Sequence, residues 1–316
     1  MATYKTVTSI GQREDLTDVI YDISPTDTPF MSSVGKTKAN AVYHEWQTDS
    51  LAAVNAANAA VEGDDAASAT LAPTVRRGNR TQISQKTIQI SGTLEQVDKA
   101  GRKSEKAYQL SKASAELKRD METILLSNQA ADAGSASTAR ELGGLQTWLN
   151  TNYEGSGTAG TGDGTTARVA GTDAAFTETM LKNAVKKAYE AGGNPSVLMV
   201  SPTQKQVVSG FAGIAEQRYM APSEGQSTIV GAADVYLSDF GALSVVPNRF
   251  IPQDVGGDGG DTAFVLDPEY AAIAYLRPFA TNELAKTGDS EKTQLLVEYT
   301  LEVKNEAAHA IIADLA

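Results

Sequence analysis

The chain has no cysteine in 316 residues, only two histidines and two tryptophans, and 6% aromatic residues in all. Without thiols there is no disulfide, thiolate-bound zinc, iron–sulfur cluster or cysteine nucleophile, and the composition fits a protein made in a reducing cytoplasm. Nowhere do about 18 apolar residues run together, so no membrane-spanning helix is expected. No basic start leads into an apolar run, so no secretory signal is read. Positive charge is also scarce: 27 Lys and Arg against 39 Asp and Glu leave a net charge of −12. A surface of that sign opposes attraction to phosphate backbones and to anionic lipid.

What is present suits two modest domains or one large one, at roughly 100–200 residues per domain. A short helical candidate at 13–20 precedes Ser24-Pro25-Thr26-Asp27-Thr28-Pro29-Phe30, whose prolines hold the chain extended or turned. With no long apolar stripe, this start reads as an arm that lies on something else. A strand at 42–47 leads into 51–72, rich in Ala, Asn, Asp and Gly and poor in bulky groups that could offset ordering entropy. After Arg76-Arg77-Gly78-Asn79-Arg80, the residues Ile88, Ile90, Gly92 and Leu94 alternate with polar ones in strand period. Residues 46–94 therefore read as two strands framing a long projecting loop.

From about 102 to 131, Ala107, Leu110, Ser114, Leu117, Met121 and Ile124 recur at helical spacing, predicting a spine helix roughly 40 Å long. Gly143-Gly144-Leu145 and a Gly/Thr-rich loop at 155–171 mark a boundary and a place to bend. Helices at 174–191 and 203–218, a buried strand at 196–200 and strands at 235–237 and 243–246 suggest a compact α+β unit. The last quarter alternates over Ala271, Ile273, Tyr275, Arg277 and Phe279, and again over Leu295, Val297, Tyr299, Leu301 and Val303, with a turn at Thr287-Gly288-Asp289-Ser290. Two long strands and one long helix make an elongated layer.

Candidate chemistry is thin. Gly35-Lys36-Thr37 has the tail of a phosphate loop, but Phe30 stands where its first glycine belongs, so an ordinary turn is expected. Gly256-Gly257-Asp258-Gly259-Gly260-Asp261 matches one calcium β-roll repeat, yet such sites share ligands between successive turns, and a single copy reads as a surface loop. His44 and His309 form no zinc motif and read as structural or surface residues. No GxSxG elbow is present, Asp64-Asp65 reads as loop solvation, and the Asn79-Arg80-Thr81 sequon means little without a secretory signal. Neither a catalytic constellation, a cofactor nor a metal site is expected. Arg76, Arg77 and Arg80 form a dense basic cluster, read either as a solvated loop end or as a dock for the acidic surface of a neighbouring copy.

The run from Ile23 to Phe30, the strand from Tyr43 to Trp46 entering an Ala-rich loop, Arg76 to Ile83 leaving it, the spine helix and Gly143-Gly144-Leu145 resemble the major capsid (major head) proteins of tailed bacteriophages. The resemblance implies the Hong Kong-97-type α+β capsid fold. By position, it implies an N-terminal arm at 1–45, an extended hairpin loop at 46–92, and a peripheral domain at 93–150 with 265–316. The remaining 151–264 would be the axial domain. Hexamers and pentamers of such subunits would tile an icosahedral virion head around double-stranded DNA, assembled in the host cytoplasm, with a portal and scaffolding or decoration proteins as partners. No sequence-specific DNA contact and no membrane are implied.

Some relatives carry a long N-terminal scaffolding region that is removed, and some crosslink Lys to Asn. Here the arm begins near Met1 and no such pair aligns, so neither cleavage nor a covalent shell is expected. Contact candidates between subunits are Pro25, Asp27, Pro29 and Phe30 of the arm, Trp46, Arg76, Arg77 and Arg80 of the hairpin, and Gly288 and Asp289 of the strand turn. Two alternatives stay open: a cargo-enclosing bacterial compartment shell of the same fold, and a hydrolase using scattered Asp and Ser residues in a deep polar pocket.

Overall fold

A computed structural model describes residues 24–63, 65, 71–211, 234–252 and 260–316. The helix expected at 13–20, Asp64, the far part of the helix expected at 203–218 and most of the glycine-rich run at 256–260 lie outside those residues.

The period-two pattern near the C-terminus becomes a long antiparallel hairpin. It pairs β10 (Ala271–Glu283) with β11 (Ser290–Val303). β1 (Gly35–Lys38) adds parallel to β10, and β4 (Gln82–Ser91) adds antiparallel to β11, giving the order β1-β10-β11-β4. Gly35-Lys36-Thr37 is thus edge strand and not a turn, because the backbone of β10 offers it a ladder. Two register shifts bend β10 between Tyr275 and Ala280, where Pro278 has no N–H to give the ladder.

On one face of this sheet, Leu295, Val297, Tyr299, Leu301 and Val303 pack with Leu117, Met121 and Leu125 of α3 (Glu105–Leu126) in one core. Each such buried side chain contributes about 1.5–3 kcal/mol. α3 is shorter than expected, about 33 Å at helical rise. Ser104 caps its start, accepting the Ala107 N–H, and Ser127 ends it. There Gly144 passes so close that a Cβ would stand 2.2 Å from the Ser127 carbonyl oxygen. The expected stripe is also rotated: Ala113 and Leu125 are buried, whereas Ala107 is exposed. Leu94 belongs to a short helix, α2 (Gly92–Gln96), and not to the strand, because Ser91 accepts the Leu94 N–H and turns the chain.

A second sheet holds six strands. Its order is β5 (Tyr153–Glu154), β12 (Ala310–Leu315), β9 (Asp261–Leu266), β6 (Val197–Val200), β8 (Gly241–Pro247) and β7 (Val235–Ser238). α5 (Glu178–Glu190) and α6 (Pro202–Ser209) cover one face through Leu181, Val185, Val200, Val208, Val265 and Ile312. The opposite face sends Met199, Phe264, Leu266 and Ile311 into the core shared with α3. With both faces covered, every residue of β9 and β12 is buried, and the runs 263–266 and 310–313 are apolar without alternation. At the C-terminus, β12 leaves the long-strand layer and inserts between β9 and β5.

The 155–171 segment does not form the flexible joint expected of its glycines. Arg168, 5% exposed, reaches the buried Asp314 at 2.8 Å, and Thr158 and Val169 exchange backbone hydrogen bonds. Gly157 and Gly171 are needed there for close backbone approach, since a Cβ on Gly157 would stand 2.1 Å from the Val169 carbonyl oxygen.

Candidate assembly surface

β2 (Tyr43–Thr48) and β3 (Val75–Arg80) form a two-stranded ribbon in register from Tyr43–Arg80 to Thr48–Val75. Beyond it, Leu51, Val54, Val61 and Leu71 are 75–99% exposed. Apolar side chains left in water on a segment with no core of its own are what a docking partner would cover.

At the other end, the ribbon is tied down. Asn79, 1% exposed, donates to the carbonyls of Gly143 and Leu301 and accepts the Gly143 N–H, so the sequon is structural and closed to modification. Thr81 donates to Glu298 at 2.9 Å, and the guanidinium groups of Arg140 and Arg277 meet the same carboxylate. His44 lies 3.3 Å from Glu302, which also accepts the Thr37 hydroxyl. Trp46 is half-buried and stacks at 5.4 Å on Trp148.

The three arginines do not act as one cluster. Strand alternation separates Arg76 from Arg77, Arg76 pairs with Glu45 at 2.6 Å, and Arg80 lies over the Tyr43 ring at 5.2 Å. In the arm, Pro25 is half-buried and Asp27 exposed. Pro29 opens α1 (Pro29–Ser33), where its missing N–H costs nothing. Phe30 is wholly buried in the subunit's own core, so its ring is not offered to a neighbour. The Phe30 and Met31 N–H groups and the Asn248 amide donate to Glu122 of the spine helix. Burial pushes the Glu122 carboxyl above its ordinary range against the pull of those three donors.

Gly288, at φ +99°, makes the turn of the long hairpin, and the carbonyl of Asp289 accepts the Gly92 N–H. A cleft of about 560 Å³ opens beside that turn, lined among others by Gly92, Lys106, Lys286, Asp289 and Glu291. Lys106 bridges Glu283 and Glu291 and so fastens the hairpin tip to α3. Among the described residues, no group of three His, Asp or Glu side chains is placed to hold a metal ion. One carboxylate oxygen of Asp261, the last residue of the glycine-rich run, accepts from Ser201 and Gln204. Sequence reading missed Glu122, Arg140, Glu298 and the Arg168–Asp314 pair, because the contacts Glu122–Phe30, Arg140–Glu298 and Arg168–Asp314 each join residues more than 90 apart in the chain. Glu298 and Asp314 gave a signal, each a carboxylate inside an apolar strand.

A long sheet crossed by a spine helix, a second sheet with helices on one face, and a projecting ribbon make up the Hong Kong-97-like capsid fold. The cyanophage A-1(L) capsid asymmetric unit shares this fold, with a TM-score of 0.69 and 13% identity over 99% of each chain. The holo-SrpI encapsulin complex from Synechococcus elongatus PCC 7942 shares it at a TM-score of 0.59 and 10% identity, over 100% of this chain and 96% of that one. Within that class, the SU10 major capsid protein family matches residues 2–316, and the chain belongs to it. The major capsid protein of Escherichia phage Phieco32 is 28% identical over 338 residues, covering 96% of this chain and 94% of that protein. The chain is a structural component of a phage capsid.

Proposed function

We propose that the subunit builds hexamers and pentamers of an icosahedral head around double-stranded DNA by laying residues 49–74 across a neighbouring copy. The observation that carries this reading is the set of exposed apolar side chains on that loop, at the end of a ribbon held to the subunit through Asn79, His44 and Trp46. The hairpin turn at Gly288 and Asp289 meets other subunits at local symmetry axes, and the exposed start of the arm, Asp27 included, lies under or along an adjacent subunit. The role is structural and non-catalytic. Assembly takes place in the host cytoplasm, with a portal and scaffolding or decoration proteins completing the head. DNA is enclosed without base recognition, since a chain of −12 charge does not grip phosphate. The family match favours this head over a protein-filled compartment, despite the shared fold.

Replacing residues 51–72 by a two-residue Asn-Gly turn tests the reading. The shortened chain should purify as a folded subunit with an unchanged melting temperature and form no shells. Normal particles in negative-stain electron microscopy would refute the loop's role.

A further inference from the structure

A loop can reach a fixed place on a neighbour only if its root points in a fixed direction, and a lone two-stranded ribbon has little stiffness of its own. The lever is sensitive. A swing of about 10° at the root of a six-residue strand pair, about 20 Å long, moves its end by about 3.5 Å, one residue of strand rise. Apolar contact alone would not hold such an angle, because it is non-directional. Hydrogen bonds to buried groups do, since they weaken steeply once bent.

The root of this ribbon is held by buried hydrogen bonds on both sides of one turn of chain. Asn79 sits at the end of β3 with both amide hydrogens and its oxygen committed to Gly143 and Leu301. Thr81, fully buried, follows two residues later. Its N–H donates to the Val42 carbonyl, which closes the base of the ribbon, and its hydroxyl donates to Glu298 and accepts from Arg140 at 3.1 Å. Arg277, at the bulged bend of β10, donates to the other Glu298 oxygen at 2.7 Å. One buried carboxylate thus joins the ribbon, the 131–144 segment and the bend in the long hairpin.

We infer that Asn79, Thr81, Glu298, Arg140 and Arg277 are positioning residues for assembly: a polar clamp, built around the buried Asn79, Thr81 and Glu298, that sets the direction in which residues 49–74 leave the subunit. The inference rests on the loop contact proposed above, and it adds that the aim of the loop is fixed within the subunit before any neighbour arrives.

The absence of cysteine makes the test direct. Spin labels on Thr48→Cys, at the far end of β2, and Lys112→Cys, on the exposed face of α3, report the ribbon's angle by double electron–electron resonance on the full-length subunit. The parent should give a single narrow distance distribution. Thr81→Val, which keeps the shape and loses the hydroxyl, should at least double its width, and Thr81→Ser should restore it. Glu298→Gln, a milder change at the centre of the clamp, should broaden it as well and supplies the measurement if Thr81→Val does not fold. A merely structural role would lower the melting temperature and leave the width unchanged, and that result would overturn the clamp. The yield of infectious particles from phage carrying Thr81→Val should fall at least 100-fold and return with Thr81→Ser. Broadened distances with normal particle yield would overturn the loop contact while leaving the clamp standing, so the two failures are distinguishable.

Discussion

The imidazole of His309 lies wholly inside the protein, with Nδ1 accepting the Asp267 N–H at 3.2 Å. Desolvation of the charged form pushes its pKa down to about 4. A histidine that titrates near 6.5 when unfolded and near 4 when folded stabilises the fold fully above about pH 6.5 and loses that contribution as pH falls toward 4. Between pH 6.5 and 5, before most carboxylates titrate, the loss should be about 2 kcal/mol. Urea unfolding at a series of pH values should show this slope in the parent and a flatter one in His309→Gln. An equal slope in both would place the titration elsewhere.

Among the elements, β12 depends on a single ion pair for its unusual backbone. Asp314 stands at φ 58°, within a register shift between Ile312 and Leu315, and its carboxylate meets Arg168, Tyr153 and the Gly157 N–H. Burial works to raise the Asp314 carboxyl, but the Gly171 and Gly157 amides, the Tyr153 hydroxyl and the Arg168 charge outweigh it and hold it below its ordinary range. Burial of the ring, and after it the same carboxylate, push the Tyr153 hydroxyl up to about 12. Arg168→Met should cost about 3–5 kcal/mol in unfolding free energy, because it leaves a buried carboxylate without its cationic partner. Adding Asp314→Asn should recover part of that loss, since the stranded charge is then gone. A double variant no better than the single would show that packing of the arginine stem, not charge, was the larger contribution.

For the whole molecule, charge sets the terms of assembly. Subunits of −12 repel one another, and added salt screens that repulsion, so light scattering should rise faster at about 0.3 M salt than at about 0.05 M. The opposite order would mean that attraction between unlike patches dominates the approach. By the same argument, the isolated subunit should not retard duplex DNA in a gel at about 0.15 M salt. The proposed compartments of the fold share one core: α3, β11 and the inner faces of β6, β9 and β12 contribute to the same buried cluster. Loss of packing at Leu117 or Tyr299 should therefore be felt in both sheets.

Elements with a strong local period were legible in the amino-acid order: the spine helix, the long hairpin, α5, β6 and the core-poor loop at 51–72 all lie near their expected positions. Local patterning sets these because a helix or strand repeats its own apolar face. What the order could not settle depends on partners distant in the chain. Gly35-Lys36-Thr37 is a strand only because β10 runs beside it, and β12 leaves the long-strand layer because β9 and β5 offer it a slot buried on both faces. The glycines at 155–171 suggested freedom when read alone, but in the fold they allow close backbone packing around a buried ion pair. Phe30 looked available to a neighbour until the spine helix claimed its backbone through Glu122. The sequence by itself determined a cysteine-free, acidic, long-helix subunit with a loop too poor in apolar bulk to fold on itself. Only the tertiary structure decided where that loop is anchored, because Asn79 meets Gly143 and Leu301, and Arg140 and Arg277 meet Glu298, only when long-range packing brings those segments together.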